Sequence, residues 1–160
     1  MINMLRIFVI LSLLLTGVAG CATSYSKEQA ENGEGANHFT SPPQLTLIVD
    51  GDSYAVAQGG YSWSYENTDG TTVNVAADSM SPSEMVNGRN SIEVDEDTEI
   101  TLQFEMDPAD YKVKIWDKDN TVKAVYDKID LSEYRGNVIY EVYANWEQGS
   151  SSYAFLLYIR

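Results

Sequence analysis

A single cysteine and a single histidine in 160 residues remove several chemistries at once. Cys21 has no partner in the chain, so no internal disulfide framework can form. With His38 as the only imidazole there is no Cys–His pair, no Ser-His-Asp triad and no histidine-rich zinc set. Basic residues are scarce as well. Ten Lys+Arg stand against 24 Asp+Glu, a net charge of −14 that repels polyanions and excludes nucleic acid as a partner. No Gly-x-Ser-x-Gly elbow and no glycine-rich phosphate loop occurs. Beyond residue 20 there is no long apolar run and no long amphipathic helical stretch. These absences point away from an enzyme and from a resident cofactor.

What is present begins with an address. Arg6 follows the N-terminal amine, Ile7 to Leu15 is almost wholly apolar, and Gly17-Val18-Ala19-Gly20 is a run of small and aliphatic residues. That order is a secretory signal segment, too short in its apolar part for a spanning helix of ~20 residues. The residues Val18, Ala19, Gly20 and Cys21 resemble the lipobox of bacterial lipoproteins. The resemblance implies cleavage after Gly20 and a diacylglyceryl group with palmitate-type acyl chains on Cys21. It also implies an extracytoplasmic protein anchored to the cell membrane by lipid, since more than one acyl chain is needed for stable anchoring.

Residues 21–43 are rich in Ser, Glu, Ala, Asn and Gly and read as a tether with a span of roughly 25 Å, closed by Pro42-Pro43. A Ser24-x-x-Lys27 pattern falls in it, outside any helix or pocket, and carries no chemistry there. From residue 44 the apolar pattern has period two. Leu45, Leu47 and Val49 alternate before an Asp50-Gly51 turn; Tyr61, Trp63 and Tyr65 alternate with serines; Asn67 to Gly70 turns into Val73 and Val75. Ser81-Pro82-Ser83-Glu84 is a capping box with Gly88 as its stop, which leaves barely two helical turns, and Asp130 to Glu133 reads as one capped helical turn. Ile92 and Val94 mark a short strand, and Ile100, Leu102, Phe104 and Met106 one face of a longer one. Val113 and Ile115 alternate with Lys112, Lys114 and Trp116; Val122 to Tyr126 follows; Tyr140, Val142, Ala144 and Trp146 lead through a Glu147–Ser151 hairpin loop to Tyr153, Phe155, Leu157 and Ile159. The expectation is an all-β sandwich of nine or ten strands with one or two short helical turns, a single domain over 44–160.

The run 91–160, with its Gly136…Tyr140-x-Val142 step into a long strand, resembles a bacterial immunoglobulin-like domain and implies a tyrosine corner at Tyr140. Residues 44–80 add two hairpins in front of it. The order Pro-Pro-x-Leu, Gly-Gly-Tyr-Ser-Trp-Ser-Tyr, Asp-Gly and Ala-Asp-Ser-x-x-Pro over 42–82 is similar to segments of Gram-positive lipoproteins and of some sensor-type membrane metallopeptidases. The peptidase motif His-Glu-x-x-His is missing, so only the compartment carries over.

Candidate site residues are few. Tyr61, Trp63 and Tyr65 could form a stacking surface or could be core, and Trp116 and Tyr143 are further candidate contacts, with Tyr54 and Tyr158. Asp117, Asp119 and Asn120 offer oxygens for a calcium ion in one turn, and Asp50 with Asp52 a second pair, although tight turns need the same residue types. Asp95, Glu96, Asp97 and Glu99 form the densest acidic cluster, in a predicted turn where acids are solvated. The function expected is a non-catalytic binding module at the cell envelope, most simply for a protein partner. Modulation of an extracytoplasmic protease or sensor, and cell-wall glycan binding, are the alternatives.

Overall fold

The computed structural model describes residues 39–160. Val18, Ala19, Gly20, Cys21, Ser24, Lys27 and His38 lie outside the described residues, as do the expected signal segment and most of the expected tether. Ten strands and one short helix follow in order: β1 (Leu45–Val49), β2 (Asp52–Ala55), β3 (Ala57–Glu66), β4 (Thr72–Ala77), α1 (Pro82–Met85), β5 (Ile92–Val94), β6 (Ile100–Phe104), β7 (Asp110–Trp116), β8 (Val122–Tyr126), β9 (Gly136–Trp146) and β10 (Gly149–Ile159). They form an all-β sandwich. The smaller sheet has the order β2-β1-β6, the larger β4-β3-β10-β9-β7-β8, with β5 added beside β10. All pairs are antiparallel except β5–β10. No helix of the described residues is long and apolar enough to cross a membrane.

Local chemistry explains most of these elements. Asp50 and Gly51 both have positive φ (48° and 90°), the requirement of a two-residue type I′ turn, and they join Val49 to Asp52 in register. The chain then changes sheet at Val56: β2 is fully exposed on the smaller sheet, and β3 continues on the larger one. Switching a strand between sheets at a single step is how sandwich corners are made. At the other end Gly149 starts β10 with φ 153°, and a Cβ there would stand 2.0 Å from the Ser62 carbonyl oxygen. Only glycine allows that approach of β10 to β3. The β9–β10 loop is thereby reduced to Glu147 and Gln148, shorter than the Glu147–Ser151 loop the sequence implied.

The two N-terminal hairpins are built into the sandwich. β1 pairs with β6 (Leu45 to Phe104, Leu47 to Leu102, Val49 to Ile100), and β3 pairs with β10. Of the strands in 91–160 only β6 belongs to the smaller sheet, so the sandwich over these residues closes only with β1 and β2 beside it. Its expected tyrosine corner is present: the Tyr140 hydroxyl donates to the Asp130 carbonyl oxygen at 3.2 Å.

Between the sheets lies an aromatic core. Trp146 meets Trp63 and Phe104 edge-on, with centroids 5.6 and 5.8 Å apart, and Phe104 meets Tyr153 at 6.1 Å. Tyr140 stacks on Phe155 at 5.5 Å. Each buried ring with a polar tip finds a backbone acceptor. Trp63 Nε1 donates to the Phe39 carbonyl and Trp146 Nε1 to the Met106 carbonyl, both at 2.9 Å, and the Tyr153 hydroxyl donates to the Pro43 carbonyl. Burial raises the pKa of Tyr140 and of Tyr153 above the usual phenol value.

Three expectations are corrected. The folded unit starts earlier than residue 44, because Phe39 packs on the core and Pro42 and Pro43 are fully buried. The Ser81 helix is only one turn, with its capping box formed as expected and a left-handed Gly88 (φ 75°) after it. Residues 130–133 form a bend and not a helical turn. Asp130 Oδ1 accepts from Ser132 N and Oγ, while Arg135 Nη1 takes the Leu131, Ser132 and Tyr134 carbonyls, the acceptors a continuing helix would need.

Because Trp63 and Tyr153 both hold the 39–43 segment, removing either donor leaves a buried carbonyl without its partner. Tyr153→Phe is expected to lose about 1–2 kcal/mol, read as a lower urea midpoint at unchanged m-value.

Candidate functional site

The period-two pattern of β7 and β9 puts one set of residues inside and another on the outer face of the larger sheet. Register places Lys112 opposite Tyr143, Lys114 opposite Glu141 and Trp116 opposite Ile139. In β10, Ser152, Ala154 and Leu156 continue the same rows. The segment between β4 and β5 then crosses this face. Val86 and Met85 from it pack with Ile139, Ala154, Leu156 and Trp116 in a second, smaller apolar cluster. Gly59 makes room for it: a Cβ there would lie 3.2 Å from Met85 and 2.4 Å from Ser152 Oγ.

On one side of the crossing segment an open depression of about 600 Å³ remains, floored by Lys114, Trp116, Glu141 and Tyr143 and walled by Asp78 and Ser79. Glu141 is the centre of its chemistry. Although only 8% exposed, its carboxylate accepts from Trp116 Nε1 at 3.0 Å and pairs with Lys114 Nζ at 3.2 Å. The same ammonium stands 5.1 Å from the centre of the Tyr143 ring, a cation–π arrangement. The Tyr143 hydroxyl donates to Ser150 Oγ at 2.9 Å, and Ser152 Oγ donates to the Gly60 carbonyl at 3.4 Å. A carboxylate this shielded is stable only when paired and hydrogen-bonded, and here both conditions hold. The result is a rigid floor with two aromatic side chains, one ammonium, one carboxylate and several hydroxyls.

The sequence candidates divide sharply. Trp116 and Tyr143 meet in this depression. Tyr61 lies at its edge, with most of its ring against the core, and Tyr65 also packs on the core. Trp63 is 1% exposed and wholly internal, so the Tyr61/Trp63/Tyr65 stripe is a core face and not a stacking surface. The reason is register: Trp63 faces the same layer as Trp146, its edge-to-face neighbour. Lys114, Glu141 and the serines escaped notice. An acid in the middle of the apolar strand Ile139 to Trp146, whose far half pairs with the serine run 150–152, was the available signal.

The calcium candidates are occupied by turn chemistry. Asp119 Oδ1 accepts from Thr121 N and Oγ1, Asp117 Oδ1 accepts from Lys118 N, and Asp117 Oδ2 pairs with Lys123 at 3.2 Å. Asn120 has φ 64° and accepts the Ser83 hydroxyl. An equivalent turn occurs at 67–71: Asn67 N donates to the Thr71 carbonyl as Asp117 N does to Thr121, Gly70 takes the left-handed position of Asn120, and Asp69 caps Thr71 as Asp119 caps Thr121. One loop thus uses Asp-x-Asp-Asn-Thr and the other Asn-x-Asp-Gly-Thr for the same backbone path, which marks the pattern as a hairpin loop. Asp50 likewise spends its carboxylate on Glu99 N at 3.0 Å. Asp95 caps Asp97 N and Thr98 Oγ1, and Glu96 pairs with Arg135. Among the described residues no group of three or more His, Cys, Asp or Glu is placed to hold a metal ion. Hydrogen bonds from Thr71, Lys118 and Ser132 hold Asp69, Asp117 and Asp130 below the usual carboxylate pKa. Their contribution to stability is therefore present above about pH 4 and fades as pH falls through the lowered values.

Compared with protein-family models, curated proteins and solved structures, the chain matches none.

The Glu141 network makes a direct prediction. Glu141→Ala strands Lys114 and the Trp116 N–H on a shielded floor and is expected to cost about 2 kcal/mol, whereas Glu141→Gln keeps an acceptor and costs about half as much. Urea unfolding measures both, and losses below ~0.5 kcal/mol for each would place the network among surface pairs of no consequence.

Proposed function

We propose that this protein is a membrane-anchored lipoprotein whose β-sandwich is a non-catalytic binding module outside the cytoplasm, with a protein as its partner. The observation that carries the reading is the outer face of the larger sheet: Tyr143, 37% exposed, stands in a depression whose floor is fixed by the Glu141–Lys114–Trp116 network. Tyrosine, tryptophan and methionine are the residue types enriched where proteins bury contact area, and a fixed floor lowers the ordering cost of docking. The lipobox-like Val18 to Cys21 supports the anchored location, and the Ser- and Glu-rich stretch after it supports a domain held at some distance from the headgroups.

A second reading keeps the same site and changes the ligand. Hydroxyls of Ser62, Ser150 and Ser152 next to Trp116 and Tyr143 also suit a cell-wall saccharide.

The test is capture from envelope extracts on the immobilised chain from residue 22 onward, beside the full chain expressed in a lipoprotein-processing bacterium. A protein retained by the native sequence and lost with Tyr143→Ala supports the first reading. Retention of a glycan fraction alone selects the second, and retention of neither contradicts both. Cys21→Ala is expected to release the full chain from the membrane fraction; if it stays there, the anchored location falls.

A further inference from the structure

On the far side of the crossing segment the same outer face carries another depression, of about 370 Å³, with a different lining. Its floor is apolar: Val86, Ile139 and Leu156. Arg89 and Lys118 stand on its rim, with the Asn137 side chain beside them. Of the eight Lys and Arg among the described residues, Lys112, Lys114, Lys123, Arg135 and Arg160 pair with a carboxylate, and Arg89, Lys118 and Lys128 do not. Of these three, Arg89 and Lys118 line one depression. Neither Arg89 nor Lys118 has a carboxylate oxygen within 4.0 Å among the described residues.

The nearest acids are committed elsewhere. Glu84, which also lines the depression, turns its carboxylate to Ser81 N and Oγ at 3.1 and 2.6 Å, closing the capping box. Asp117 is held by Lys123 and by Lys118 N, and Asp119 by Thr121. Arg89 is positioned without being neutralised. Its Nε donates to the Met85 carbonyl at 3.0 Å, which anchors the guanidinium at the end of α1 and leaves its other N–H groups without a partner among the described residues. Ser83 in turn bonds Asn120, so α1 is tied to the loop that carries Lys118. Two elements from opposite ends of the chain segment 82–120 thus bring two free cations to one apolar floor.

We infer that this depression is a binding site for a small organic anion, a carboxylate or phosphate carried on a compact apolar body. The two cations take the anionic group, the Asn137 amide adds a donor, and Val86, Ile139 and Leu156 cover the body. A volume at the lower end of the range for small-molecule sites sets the size of the body at a single ring or a short branched chain. Inorganic anions alone lack the apolar contact, and neutral homologues lack the charge. The site is separate from the Glu141 depression, so either can fail without the other.

The experiment uses the full chain in a non-ionic detergent, with methyl resonances of Val86, Ile139 and Leu156 as the readout. Benzoate and phenyl phosphate are the probes, benzyl alcohol is the neutral control, and acetate and inorganic phosphate are the controls without a ring. The expected result is saturable shifts at those methyls with one or both aromatic anions. Binding of benzyl alcohol and of the ringless anions should be at least about five-fold weaker. Lys118→Gln, which removes a side chain without partners, and Arg89→Gln should each weaken the anion about three- to five-fold. Arg89→Lys keeps the charge and serves where Arg89→Gln disturbs the turn. Preference for benzoate or for phenyl phosphate identifies the anionic group. Equal binding of benzyl alcohol, shifts outside these methyls, or affinities unchanged by both charge-removing variants would overturn the proposal.

Discussion

The donors that leave the core hold this structure together. Trp63, Tyr140, Trp146 and Tyr153 are large rings buried between the sheets, and each sends an N–H or O–H to a backbone carbonyl in a segment without regular pairing: Phe39, Asp130, Met106 and Pro43. The arrangement solves two problems together. A buried indole or phenol needs a partner for its polar tip. The connections of a sandwich need anchoring where no ladder reaches them. Each ring supplies both its own satisfaction and the anchor, and among the described residues no buried side-chain polar atom is left without a hydrogen bond. The lack of disulfides is met in this way. The same rings contact each other, Trp63 on Trp146 and Phe104 between Trp146 and Tyr153, so the anchors of distant segments share one packed cluster.

That core also determines what the surface can offer. Trp63 of β3 is drawn inward to complete it, with Tyr61 and Tyr65 packed against it, so the most conspicuous stripe in the sequence is not an open stacking surface. The outer face of the larger sheet is left to β7 and β9, where Trp116 and Tyr143 alternate with internal residues. The crossing segment from β4 to β5 divides that face. One half has its cation neutralised by Glu141; the other presents Arg89 and Lys118 unpaired. Both halves follow from one geometric event, the passage of Met85 and Val86 over Gly59 and Ala154.

Much of the fold was legible because period-two alternation and turn residues are local signals. Leu45, Leu47 and Val49, the Asp50-Gly51 turn and the inward set Ile100, Leu102 and Phe104 all stand where the pattern placed them. The failures are non-local. Composition assigned Phe39 to Pro43 to the tether, and only the distant donors of Trp63 and Tyr153 bring them into the fold. Asp130 to Glu133 carries helix-capping chemistry, but Arg135 withdraws the carbonyls a helix would use. For Tyr61, Trp63 and Tyr65 the strand was evident, and which of its faces is internal depended on pairing with β10, more than eighty positions away. The floor of the candidate site was half legible: Trp116 and Tyr143 were named from type and phase, and Glu141 was passed over because its partner Lys114 is on another strand.

If shared aromatic anchoring makes the two sheets one cooperative unit, native-state hydrogen exchange is the direct measurement. The slowest amides of β1 and β6 in the smaller sheet should open with the same free energy as those of β9 and β10, to within about 1 kcal/mol. Exchange from β1 and β6 through an opening several kcal/mol cheaper, with β9 and β10 still protected, would contradict the account.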